Sequence, residues 1–191
     1  GIFSSINYNF TDNSVVPVTT IDQDLVRTTT YTNVDGARSA NARIFYNKQF
    51  KNDEVEFRYR TGNNAGYSNN VGFTNAVLYN AERISLSPSI RLTYAIEEVL
   101  DIKPNYQLNF TSTTYDINPN RDAEVIDHLV GLEATTYWPK NVVFGNDISY
   151  NYFGNVSPGF DHCAILWNMS LGYQFLKEKA TLKVSIYDLL D

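Results

Sequence analysis

The residues of this chain able to do chemistry are few, and their spacing argues against most reactions. Two histidines, His128 and His162, and one cysteine, Cys163, are present. Two imidazoles are too few for most His-rich metal sites, and a lone cysteine leaves no intrachain disulfide framework. In Asp161-His162-Cys163 a thiol stands beside a base, but neighbours along a strand point to opposite faces, so the two would not share a site. No glycine-rich phosphate loop stands between a strand and a helix, and no serine elbow is present. Glu54 and Glu56 share a face with Arg58 and Arg60, which reads as a charge-balanced lumen wall or a solvated face rather than a paired acid and base. The chain therefore reads as a non-enzyme with no catalytic residue, metal or cofactor. A binding surface remains. From Thr61 to Asn80 the sequence is dense in Gly, Asn and Tyr and is expected to be a long exposed loop. Its Asn63, Asn64, Tyr67, Asn69, Asn70, Phe73 and Tyr79 offer amides for hydrogen bonds and rings for stacking on a sugar or peptide ligand. Turn chemistry accounts for the same Asn and Gly residues without a ligand.

The elements that would carry such a surface follow one rule. Every second residue from Ile165 to Phe175 is apolar (Ile165, Trp167, Met169, Leu171, Tyr173, Phe175), with Asn168, Ser170, Gly172 and Gln174 between. Lys177-Glu178-Lys179 turns the chain, and Leu182, Val184 and Ile186 resume the apolar face opposite Lys183 and Ser185. This period of two belongs to strands. Ile84, Leu86, Pro88, Ile90, Leu92, Tyr94 and Ile96 repeat it most fully, and no helix gives that pattern. Ile2 to Phe10, Ala40 to Phe50, Val55 to Tyr59, Tyr106 to Phe110, Val130 to Trp138 and Phe144 to Tyr152 repeat it too. Val15 to Ile21 can continue the first strand after a bend at Pro17, which cannot donate to a ladder. Asp22 to Asp24 reverses the chain, Leu25 to Thr32 is rich in strand formers, and Asn33-Val34-Asp35-Gly36 breaks it as a turn or bulge. The expectation is an all-β, antiparallel up-and-down meander of about nine long strands in one unit, residues 1–191.

Composition narrows the surroundings. The formal charge of the 191 residues is −6, with Lys and Arg scattered, so the footprint of a nucleic-acid partner is missing. Aromatic residues make up 14% and tyrosine leads them, as suits rings at a membrane boundary or a sugar-binding surface. No apolar run reaches the roughly 20 residues of a membrane-spanning helix. Strands at both ends and the lack of a leader pattern make the chain read as a fragment.

A strand with one apolar and one polar face fits a soluble sheet half-buried in a sandwich, and equally a membrane barrel whose outer face meets lipid and whose inner face is wet. Connection lengths favour the barrel. Short links at Lys51 to Asp53, Glu97 to Lys103, Pro139 to Asn141 and Lys177 to Lys179 alternate with longer ones near Thr61, Asp116 and Gly154. Outer-membrane barrels have short turns on one side and long loops on the other. Tyr46, Phe50, Tyr94, Tyr106, Tyr137, Trp138, Tyr173 and Phe175 gather beside the short turns, and Tyr8, Phe10, Tyr115, Tyr150, Tyr152 and Trp167 beside the long loops, as two aromatic girdles would.

The stretch Tyr173-Gln174-Phe175-Leu176-Lys177 through Leu182 to Leu190, ending Tyr187-Asp188-Leu189-Leu190, resembles the C-terminal portion of TonB-dependent-receptor-like outer-membrane barrels of Bacteroidetes type. Asn33-Val34-Asp35-Gly36 is similar to that family as well. The resemblance implies a 22-stranded parent barrel with a plug, of which this chain would be a late segment without plug or energy-coupling box. It implies a place in the Gram-negative outer membrane and uptake of a nutrient such as a glycan, peptide or metal chelate. The partners would be the lipid bilayer, the remaining strands and plug, and a small nutrient. The competing reading is a soluble β-sandwich-type domain that binds carbohydrate or protein. An isolated sheet of about nine strands is expected not to close, leaving Ile2 to Phe10 and Leu182 to Ile186 as edges.

Overall fold

Alternating residues of high strand propensity dominate the chain, and the structure, a computed structural model, is accordingly built of strands. It describes residues 1–74, 76–117, 119–176 and 179–190. Nine strands form one antiparallel sheet in the order β1 (Ile2–Thr11), β4 (Ala37–Lys51), β5 (Val55–Thr74), β6 (Val77–Ile96), β7 (Leu100–Tyr115), β8 (Ala123–Thr136), β9 (Val142–Tyr152), β10 (Cys163–Phe175) and β11 (Ala180–Ile186). A separate hairpin pairs β2 (Ser14–Ile21) with β3 (Arg27–Val34). The meander expected from the sequence is therefore present.

Two expectations are corrected. Val15 to Ile21 does not prolong the first strand: β1 pairs with β4, and β2 folds onto β3. Asp22 makes that fold-back, its Oδ1 accepting from the backbone N–H groups of Asp24 (3.0 Å) and Val26 (2.8 Å), an Asx turn. The Asn13 N–H donates to Asp35 Oδ1 at 2.7 Å, fastening the entry of the excursion to its exit. Second, Thr61 to Asn80 is not a loop. It holds most of β5 and the start of β6, with Asn75 outside the described residues, and every residue from Val55 to Thr74 has a partner in β6. β4 pairs along the opposite edge from Arg38 to Lys51. Backbone hydrogen bonds on both sides override the weak strand preference of Gly and Asn.

The connections differ by end at the places expected, except that the long one falls at 12–36 and not near Thr61. On one side lie the turns 52–54, 97–99, 137–141 and 176–179; Lys177 and Glu178 of the last lie outside the described residues. On the other lie the 12–36 excursion, 116–122 and 153–162, with the β5–β6 hairpin reaching past its neighbours: Ala81 is the last β6 residue paired to β7, while β5 and β6 stay paired to Val77. β1 pairs only with β4 and β11 only with β10, so the sheet is open at both edges.

Register aligns the alternation of all nine strands. Ile6, Ala42, Ala65, Leu86, Phe110 and Ile126 form one row, and Tyr94, Ile102, Ala134, Asn146, Met169 and Ile186 another on the same face. This face is uncovered. Ile6 is 81% exposed, Ile84 53% and Val184 60%, and Ala81 is the one buried hydrophobic residue among those described. The molecule exposes 13565 Å², whereas a folded monomer of its 21.7 kDa exposes about 9,200 Å². The nine-stranded sheet is a single layer that β2 of the small hairpin touches at β5, and the described residues form no core.

Candidate functional site

The residues expected to contact a ligand are split by the pleat. Asn63, Tyr67, Asn69 and Phe73 share the apolar face with Ile84, Pro88 and Ile90, whereas Asn64, Asn70 and Tyr79 take the other. The first group includes part of a polar rim at the long-connection end. There the Tyr67 hydroxyl donates to Glu82 Oε1 at 3.0 Å, and the Arg38 guanidinium lies 5.9 Å from the Tyr67 ring centre. Asn80 donates from its backbone N–H and from Nδ2 to the two oxygens of Asp116, each at 2.9 Å. These bonds, the side-chain one foremost, hold the Asp116 carboxyl below its ordinary value. Asn69, Asn80, Glu82, Thr114, Tyr115 and Asp116 line an open depression. Asn63 and Asn69 each keep an Oδ1 without a hydrogen-bond partner. The apolar face thus turns polar at the row Arg38, Asn69, Glu82, Thr114.

At the short-turn end the same face carries aromatics. Phe50 and Phe57 stack with ring centres 6.3 Å apart, and Tyr46 and Tyr59 lie 6.0 Å apart. In the turn that follows β8, Tyr137 donates to Asp101 Oδ2 at 3.3 Å. Burial first, and then the Asp101 charge, pushes the Tyr137 phenol above its usual value.

The opposite face is mainly polar and carries the glycines of the sheet. Gly62, Gly66, Gly72, Gly131, Gly145 and Gly172, all the glycines within the nine strands, fall on it, as do Ser85, Ser87 and Ser89. Their missing side chains are used. A Cβ at Gly62 would overlap the Phe45 ring, and one at Gly131 would lie 2.6 Å from Asn105 Nδ2. Glu56 and Arg58 pair here at 2.7 Å, which bears out part of the expected charge-balanced wall. Glu54 does not belong to it, because it sits in the turn before β5. Arg60 faces Arg91 directly across the β5–β6 ladder, and a shallow cleft lined by Phe45, Arg60, Ser89, Arg91, Asn105 and Gln107 opens there. Sequence reasoning missed this pair, because Arg60 and Arg91 meet only once the hairpin register is set.

The histidines stand apart from any thiol chemistry. The Tyr106 hydroxyl and His128 Nδ1 are 3.0 Å apart, and Tyr152 packs between His128 (5.7 Å) and His162 (5.8 Å). His162 Nδ1 lies 2.8 Å from the Phe153 carbonyl oxygen, which can only accept, so that nitrogen carries the proton. Cys163 is exposed at the start of β10. The arrangement offers amides, hydroxyls and guanidinium groups on one face and mainly apolar side chains on the other. No protein-family model, curated protein or solved structure matches the chain.

Proposed function

We propose that the chain is a wall segment of an outer-membrane β-barrel, its apolar face toward lipid and its polar face toward a water-filled path for nutrient uptake. The observation that carries this reading is the apolar face of nine strands, broken within its span by Asn63 and Asn146, with no second sheet of comparable size over it among the described residues. Soluble monomers seldom expose apolar patches above a few hundred Å². Dimensions agree with a bilayer. Ile84 to Ile96 of β6 covers about 40 Å at ~3.4 Å per residue, and a tilt of about 40° projects this to about 30 Å, near the height of the lipid-facing band. The polar row at Arg38 and Glu82 bounds this belt on one side and the Phe50, Phe57 and Tyr94 aromatics bound it on the other.

Stagger and residue size support curvature. Tyr152 ends β9 opposite His128 and Cys163, while β8 runs on to Ala123. At the other end Leu171 is level with Thr136 through Phe144, and β10 runs on to Phe175. Closing a barrel requires such a shear. Side chains converge on the inside of a curved sheet, and here the inside would be the face of glycine and serine. The unpaired outer edges of β1 and β11 are not tolerated in lipid, so further strands pair with them in the assembled barrel. With a TonB-dependent receptor as parent, those strands and a plug are the partners, and the site is the outer membrane.

Solubility behaviour tests the reading. The chain should stay folded and monodisperse only in detergent or lipid, and it should be labelled by a lipid-phase photoreactive probe at Ile84, Ile90 and Val130. A folded, monodisperse monomer in plain buffer would overturn it in favour of a soluble carbohydrate- or protein-binding domain.

A further inference from the structure

We infer that Arg60 and Arg91, with Asn105 and Gln107 beside them, form a binding site for an oxyanion carried by a small molecule. The site stands on the polar face and does not depend on what covers the apolar one. Directly opposed residues of an antiparallel pair bring their Cβ atoms to about 5 Å, and like charges there repel. Arg60 and Arg91 are such a pair.

Neither arginine is neutralised by an ion pair among the described residues. Of the acids on this face, Glu56 pairs with Arg58 at 2.7 Å, Asp101 with Lys103 at 3.7 Å and with Tyr137, and Glu133, two strands away from Arg91, pairs with neither arginine. The direct cross-strand neighbours of the two arginines are neutral, Asn47 beside Arg60 and Asn105 beside Arg91. In a chain whose formal charge is −6, this spot is locally cationic.

Shape adds to charge. The cleft in front of the pair is walled by Phe45 and Ser89 on one side and Asn105 and Gln107 on the other. Phe45 lies across Gly62 and the Asn105 amide lies over Gly131, positions that a Cβ would take from them. Two guanidinium forks present planar donors suited to carboxylate, sulfate or phosphate oxygens. An anion between them converts the repulsion into two charge-assisted contacts.

The test titrates the full chain, in whichever medium keeps it folded, with sodium citrate, sulfate and phosphate in separate calorimetric runs at constant ionic strength. Thermal midpoints are followed in parallel. One saturable site is expected for at least one of these anions, and their order tells a carboxylate from a tetrahedral oxyanion. Arg60→Gln and Arg91→Gln should each weaken binding at least about tenfold, while Arg83→Gln, on the same face but away from the cleft, should leave it unchanged. In chloride alone both Gln variants should melt at or above the parent temperature, because a repulsion is gone, and should lose the rise that the anion gives the parent. No saturable binding of any of the three anions, binding unaltered in the Gln variants, or a variant that melts lower or fails to fold in chloride would overturn the proposal.

Discussion

Along β6 one face carries Ile84, Leu86, Ile90 and Leu92 and the other carries Ser85, Ser87, Ser89 and Arg91; the neighbouring strands repeat the contrast of polarity but not that of size, since β4 puts Ala40 and Ala42 on the apolar face and Arg43 and Phe45 on the polar one. A polarity contrast alone would serve any half-buried sheet. β6 adds a contrast of size, and the glycines under Phe45 and Asn105 let those side chains lie flat on the polar face.

The comparison breaks most visibly if the faces answer alike to charge. Ile90→Arg, near the middle of the apolar belt, should cost about 2–4 kcal/mol in a bilayer, whereas Ser89→Arg, one residue away on the wet face, should be nearly neutral. Denaturant unfolding from lipid vesicles measures both. Equal costs would remove the distinction between the faces.

A smaller effect tests size. Gly62→Ala drives a methyl into the Phe45 ring and should lose about 1–3 kcal/mol, while Ala65→Val on the opposite face of the same strand should stay within about 0.5 kcal/mol. Thermal or denaturant midpoints of the two variants compare them directly. If Gly62→Ala proves silent, the glycines do not serve packing on that face.

The smallest effect locates the water boundary at the polar rim. Asp116 is held by Asn80, so its carboxyl titrates below the ordinary value of 3.8. The folded state then binds this proton less readily than the unfolded chain. The contact contributes stability above the ordinary value and loses it as pH falls through the lowered one. The Asn80 side-chain amide signals, followed by NMR in micelles, should hold steady to below pH 3.8 and then move. A carboxyl drawn into lipid would instead titrate higher, and a signal change above the ordinary range would place this rim inside the membrane.

Much of the fold was legible because it is local. β10, β11 and the Ile84 to Ile96 part of β6 alternate cleanly, and turn residues such as Asn52, which accepts from the Glu54 and Val55 N–H groups at 3.1 and 2.6 Å, announce their own bends. The stretch from Gly62 to Asn69 was not legible, since Gly, Asn and Ser are turn residues by preference and strand residues here only because β4 and β6 pair with both edges. The seven ligand candidates were grouped by composition, and the pleat divides them between two faces.

Which residues share a face along each strand was determined by the sequence alone, because successive Cβ atoms alternate by covalent geometry and the period of two can be read without a partner. Which strands meet, and in what register, was decided only in the tertiary structure, because pairing joins residues far apart in the chain and a slip of one position would send every side chain to the other face. The folding of β2 onto β3, the placing of Gly62 beneath Phe45 and the opposition of Arg60 to Arg91 all belong to that second level. Each depends on a backbone ladder between segments whose side-chain pattern does not name its partner.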